Sequence, residues 1–141
     1  MIVFNNGKTD KSQYKKFKIK TKNTPDDIAM LKEVLQRRFA HPEWKYPEVI
    51  LIDGGKAQLN IAIKIKQQFI EQSYEIVPLI ISIAKGRQEL FIEGQNPPAG
   101  GPIPLKNLPQ EIRNLILQLD AEAHRFAITY HKKLRRQSLL Q

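Results

Sequence analysis

The chain contains no cysteine, which excludes disulfides and thiolate metal sites and makes an intracellular home the easier reading. No apolar run approaches the roughly 18 residues that a membrane span needs. The longest, Ile76 to Ala84, is interrupted by Pro78 and Ser82. The opening residues lack the pattern of a secretory signal peptide, so a cytoplasmic location is expected. Internal repeats and low-complexity segments are not evident. Acids are scarce beside bases, 14 Asp and Glu against 23 Lys and Arg, for a formal charge of +9 and an isoelectric point near 9.8. That surplus points to a polyanion partner, nucleic acid first and membrane surface second. Its plain alternative is a basic, well-solvated surface. With 141 residues, one domain with a real core is expected.

The chain is organised around Val49-Ile50-Leu51-Ile52-Asp53-Gly54-Gly55-Lys56-Ala57-Gln58. Four branched apolar residues in a row predict a short strand buried on both faces, as in a mostly parallel sheet. A carboxylate at the carboxyl end of such a strand stands where open α/β sheets place ligands. The two glycines allow close approach of backbone and substrate. Asp-Gly-Gly is also ordinary turn chemistry, and both readings stand. A phosphate-cradling P-loop is excluded, because neither the Gly-x-x-x-x-Gly-Lys spacing nor the following hydroxyl is present.

Met1–Phe4 and Gln13–Lys20 read as strands around an Asn5-Asn6-Gly7-Lys8 hairpin turn, with a bulge between Tyr14 and Phe17. The lysines of the second strand suit either a protected edge or a phosphate-facing surface. Thr24-Pro25-Asp26-Asp27 starts a helix whose stripe is Ile28, Leu31, Val34 and Leu35, ending at Arg37-Arg38-Phe39. Locally Asp27 reads best as a capping acid. A proline-containing loop from His41 to Pro47, with Trp44, leads to the Asp53 strand. Leu59, Ala62, Ile63 and Phe69 mark a second helix to about Glu71. Ile76–Ala84 is a second buried strand, and Lys85-Gly86-Arg87-Gln88 turns it into an antiparallel neighbour, Glu89–Glu93. Gly94–Pro104 is a Gly/Pro-rich loop that packs little. From about Leu108 to Arg136 runs one long helix with an apolar face containing Ile112, Leu115, Ile116, Leu119, Phe126 and Tyr130. Asp120, His124 and His131 share one flank of that face, and Glu122 falls on the other. An acid and an imidazole four residues apart suit proton transfer or metal binding, and equally a structural surface pair. Lys132-Lys133-Leu134-Arg135-Arg136 suits phosphates and also any helix carboxyl end.

Ile50-Leu51-Ile52-Asp53-Gly54-Gly55-Lys56-x-Gln58-Leu59 and Ala123-His124-Arg125-Phe126-Ala127-Ile128-x-Tyr130-His131 together resemble the carboxy-terminal endonuclease domain of UvrC, the incision subunit of bacterial nucleotide excision repair. Phe17-x-Ile19, Asp26-Asp27-x-Ala29-Met30 and Arg37-Arg38-Phe39 match it in the same order, so the resemblance runs from Ile2 to about Arg136. It implies an α/β, RNase H-like mixed sheet flanked by helices. It also implies incision of damaged double-stranded DNA on the 5′ side of the lesion with a divalent cation, Mg²⁺ or Mn²⁺. By resemblance Asp53 is a metal-binding acid, Asp27 a second carboxylate and His124 the catalytic histidine. Lys56, Lys85, Arg87, Arg125, Lys132, Lys133, Arg135 and Arg136 are expected to meet the DNA backbone. A UvrB-type helicase subunit is implied as partner through regions outside this chain.

Three departures from the family pattern shape the expectation. The family's first strand, with a Phe-Asp-Ile-Ser-His block and a further aspartate, should precede Met1. The acid usual three residues before the histidine is Ala121 here, between Asp120 and Glu122. The family's GIY-YIG nuclease half and helix-hairpin-helix region lie outside these residues. Residues 1–141 are therefore read as one truncated RNase H-like domain, weak or inactive when isolated. A catalytically dead DNA-binding module of the same fold is the alternative. Another RNase H-like enzyme, such as a junction resolvase, fits the fold but not the Ala-His-Arg-Phe-Ala block.

Overall fold

In the computed structural model, which describes residues 1–16, 27–70, 76–95 and 101–140, nine regular elements follow in order. They are β1 (Phe4–Asn5), β2 (Lys8–Thr9), α1 (Asp27–Phe39), β3 (Val49–Asp53), α2 (Lys56–Phe69), β4 (Leu79–Ala84), β5 (Glu89–Ile92), β6 (Ile103–Pro104) and α3 (Gln110–Leu139). The chain divides into two compact units, one of residues 1–18 with 108–141 and one of residues 19–107.

In the larger unit the order across the sheet is β3-β4-β5-β6. β3 and β4 are parallel, with Val49 opposite Leu79 and Asp53 opposite Ile83. A parallel pair needs a long crossover, and α2 supplies it. β5 returns antiparallel to β4 through a single 3₁₀ turn at Lys85–Arg87, and β6 adds antiparallel to β5. α2 packs across β3, β4 and β5, and α1 packs on α2. Their meeting faces supply Leu35, Phe39, Leu59, Ala62 and Ile65 to a core that Ile52, Ile70, Ile80 and Tyr46 complete. Ile65, Ile80 and Ile83 are at most 1% exposed, so each contributes about 1.5–3 kcal/mol of burial. This mixed sheet with its helices is the α/β, RNase H-like architecture expected.

The sheet corrects two expectations. β3 is not buried on both faces: Val49 is 50% exposed and Ile52 is its one fully buried residue. Among the described residues β3 pairs with β4 alone, and an edge strand has less cover than a central one. The Gly94–Pro104 loop is also not wholly irregular, because Ile103–Pro104 pairs with Leu90 and Glu89. Proline is tolerated there because β6 is an edge and its missing N–H costs no ladder bond. Leu105 follows at 2% exposure, its N–H bonded to the Gln88 carbonyl at 2.8 Å.

In the smaller unit the hairpin forms at the expected turn. Asn6 and Gly7 both have positive φ, 53° and 78°, as a two-residue hairpin turn requires. The second strand does not run on from Gln13. Lys11–Gln13 is a 3₁₀ turn, because the Asp10 carboxylate accepts bonds from Ser12 Oγ (2.5 Å) and Gln13 Nε2 (2.6 Å). Phe17–Lys20 and the Thr24-Pro25 helix start lie outside the described residues, and of the bulge expected between Tyr14 and Phe17 only residues 14–16 are described, in no strand. α3 forms as one helix, but its apolar stripe is only partly covered. Ile116 is buried while Ile112 and Leu115 stay exposed.

Candidate active site and its neighbours

Asp53 is the last residue of β3, and because β3 and β4 run parallel their carboxyl ends lie side by side. Gly54 N–H continues the ladder to the Ile83 carbonyl at 2.9 Å. Gly54 then adopts φ +151°, a region that favours glycine, and a Cβ there would sit 2.5 Å from Gln58 Cγ. The Gln58 Oε1 accepts the Gly55 N–H at 3.0 Å, capping the first turn of α2. Ser82, fully buried in β4, donates its hydroxyl to the Gly55 carbonyl at 3.3 Å. Asp53 is thus an exposed carboxylate presented on a loop that is clamped from two sides.

Among the described residues, a base stands beside that carboxylate. Lys85 Nζ stands 3.7 Å from Asp53 Oδ2, brought there because Lys85 directly follows β4. Lys56 and Arg87 are exposed on the same unit, at the start of α2 and in the turn after β4. Asp27 opens α1, and its side chain lies outside the described residues. Among the described residues no three His, Asp or Glu side chains gather where they would hold a cation. Asp53 is one hard oxygen donor, and the described residues do not by themselves make a divalent-metal site.

His124 belongs to the other unit and is exposed on α3. On the same helix Glu122 receives Arg125 Nε at 2.8 Å and Nη2 at 2.6 Å, while Tyr14 donates to Glu122 Oε1 at 3.1 Å. The Arg125 guanidinium, and then Tyr14, hold the Glu122 carboxyl below its ordinary range. Arg125 thus commits two of its five donors within the helix. Tyr14 meets Phe126 edge-on at 5.2 Å, and Lys16 Nζ lies 5.5 Å from the Tyr130 ring. Lys132, Lys133, Arg135 and Arg136 are exposed farther along α3.

Sequence reasoning did not assign roles to Gln58 and Ser82. Each left a signal: a glutamine three residues after Gly55, and a lone hydroxyl within an apolar strand run.

Residues 1–128 match the family described as the UvrC RNase H endonuclease domain. UvrABC system protein C of Chlorobium chlorochromatii is 41% identical over 144 residues, covering 100% of this chain and 21% of that protein. The protein of the same name from Dictyoglomus thermophilum is 36% identical, covering 99% of this chain and 22% of its own length. That of Methanospirillum hungatei is 40% identical, covering 99% of this chain and 25% of its own length. The chain therefore spans between 21% and 25% of the length of these relatives. No helix of the described residues is long and apolar enough to cross a membrane. A family match over nearly the whole chain, on a mixed sheet that presents Asp53 at a strand's carboxyl end, identifies this chain as a member of the UvrC RNase H endonuclease domain family.

Proposed function

We propose that this chain makes the 5′ incision in damaged DNA during nucleotide excision repair, by metal-dependent hydrolysis of a phosphodiester. The observation that carries the reading is the exposed Asp53 carboxylate at the carboxyl end of β3, held by the Gly54–Gly55 clamp beside Lys85. Membership of the endonuclease family and the +9 charge support it.

Hydrolysis adds hydroxide to phosphorus and a proton to the leaving oxygen. His124 is the proposed proton carrier, orienting or deprotonating water or protonating the leaving oxygen. Asp53 and Asp27 are the proposed donors to Mg²⁺ or Mn²⁺, which would supply charge neutralisation at phosphorus. Lys85 holds the Asp53 carboxylate and offers an ammonium to a neighbouring phosphate. Lys56, Arg87, Arg125, Lys132, Lys133, Arg135 and Arg136 are proposed backbone contacts. A UvrB-type helicase subunit is the proposed partner, through regions outside this chain.

In a protein of the relatives' length that carries this domain, Asp53→Asn should abolish 5′ incision of a lesion-bearing duplex, while circular dichroism and DNA affinity stay near the parent values. Full incision by that variant would end the assignment. A second reading, a DNA-binding module without catalysis, is favoured by Ala121, which stands three residues before His124 where the family pattern carries an acid. A Mn²⁺ titration followed by NMR separates the two, since paramagnetic broadening at Asp53–Gly55 is expected only for the nuclease.

A further inference from the structure

We propose that the loop between α1 and β3 carries a stacking site for an unpaired nucleobase, built on Arg38, His41 and Trp44. This rests on the reading of DNA as substrate and adds a contact that neither the Asp53 site nor the basic residues of α3 supply.

The rings of His41 and Trp44 lie face to face, 4.0 Å apart and 15° from parallel. The Arg38 guanidinium carbon stands 5.5 Å from the Trp44 ring and 5.5 Å from the Tyr46 ring. Tyr46 is itself buried, donating to the Phe39 carbonyl at 2.9 Å and meeting the Phe39 ring edge-on at 6.0 Å. A continuous column of flat groups therefore runs outward from the core, through Tyr46, Arg38 and Trp44, to His41. The His41 side chain is 44% exposed. Its Nδ1 pairs with Glu43 at 2.6 Å, and Trp44 N–H bonds the His41 carbonyl at 3.1 Å, so the outer ring is oriented.

Arg38 distinguishes this column from ordinary loop packing. It is 7% exposed, and Nη2 donates to the Lys45 carbonyl at 2.9 Å. Nη1 is buried without a hydrogen-bond partner, and the Glu43 carboxylate, which bonds His41, attracts the guanidinium without a hydrogen bond to Nη1. A buried cation is ordinarily neutralised by an acid, because desolvation is costly. Here Glu43 compensates the charge in part, and the guanidinium lies beside two aromatic rings of a stack whose outer ring, His41, stays partly exposed. A flat, electron-rich and negatively tethered group is the matching ligand, and a nucleobase on its phosphate backbone is that group. Exposed Lys45 and the +9 charge of the chain suit the backbone that follows it. The loop enters β3 at its amino end, and Asp53 stands at the carboxyl end, about 13 Å away along the strand. The base it receives is therefore distinct from the nucleotide being cut. Stacking is indifferent to base identity, so an unpaired segment is recognised rather than a sequence.

Trp44 is the only tryptophan, which makes the test direct. The full chain is titrated with a labelled oligothymidine, following label anisotropy and Trp44 emission together. Emission should be quenched in parallel with the rise in anisotropy. His41→Ala and Trp44→Leu should each weaken the oligothymidine about 5- to 10-fold and leave affinity for a blunt duplex unchanged. Circular dichroism and urea unfolding check their fold, and the parent's quenching stands even where a variant fails to fold. Anisotropy that rises with no change in Trp44 emission overturns the stacking site and leaves the DNA reading intact. Equal weakening on single strand and duplex also overturns it. Absence of binding to either DNA overturns both.

Discussion

At the scale of single residues, the site depends on what Gly54 lacks. Its φ of +151° and the 2.5 Å approach to Gln58 leave no room for a side chain. Gly54→Ala should therefore cost about 1–3 kcal/mol in urea unfolding, from strain at a conformation that other residues rarely adopt. The same variant should lower incision by displacing Asp53. Gln58→Ala relieves only part of the clash, because Gln58 Cβ also lies 2.8 Å from the would-be methyl. The double variant should accordingly recover some stability and not all. Asp53, Gly54 and Gly55 were legible as a turn at a strand end from their order after an apolar run. That Ser82 and Gln58 brace the turn was not, because both act through contacts between β4, the turn and α2.

At the scale of elements, the larger unit is pinned by a buried ion pair. Lys66, in the last turn of α2, bonds the Glu93 carboxylate and the Pro78 carbonyl, and Glu93 also accepts the Ile80 N–H at 3.0 Å. Helix, β4 and the end of β5 are joined at one point. Glu93→Gln should destabilise by about 3–5 kcal/mol, since it strands a buried ammonium, and replacing both partners by apolar residues should cost much less. Urea unfolding of the single and double variants measures the difference. In the smaller unit, Glu122 ties Tyr14 to α3. Its carboxyl is held below its ordinary value of 4.5 by Arg125 and Tyr14. The stability it contributes is therefore complete above that ordinary value and is lost as pH falls through the lower folded value. Thermal unfolding of Glu122→Gln should show a shallower decline in acid than the parent, and the two curves should converge at the lowest pH.

At the scale of the whole molecule, under the proposed function the excess of 23 basic over 14 acidic residues would set how DNA is held. Affinity should fall steeply with salt and show little base preference, because phosphate neutralisation releases counterions without reading sequence. Replacing Lys132 and Lys133 by glutamine should lower the slope of log affinity against log salt by about 2. Affinities measured across a salt series check this, and a salt-independent affinity would refute it. The stacking variants His41→Ala and Trp44→Leu should leave that slope unchanged, since they remove no phosphate contact.

The sequence alone determined the parts whose cause is local. Periodicity named α1, α2 and α3, Asn6-Gly7 named the hairpin turn, and apolar runs ending in Asp-Gly-Gly and Ala-Lys-Gly named two strands, the second starting at Leu79 rather than Ile76. Tertiary structure decided what depends on neighbours distant in sequence. β3 reads as doubly buried but pairs, among the described residues, with β4 alone; burial is set by what packs on a strand, not by its own hydrophobicity. The Gly/Pro-rich loop conceals β6, because a two-residue edge strand takes its register from β5 and leaves no period of its own. Lys85 meets Asp53, 32 positions away, only because parallel strands bring their carboxyl ends together. Arg38 reads as the basic end of a helix, and packing turned it inward to back the Trp44–His41 stack.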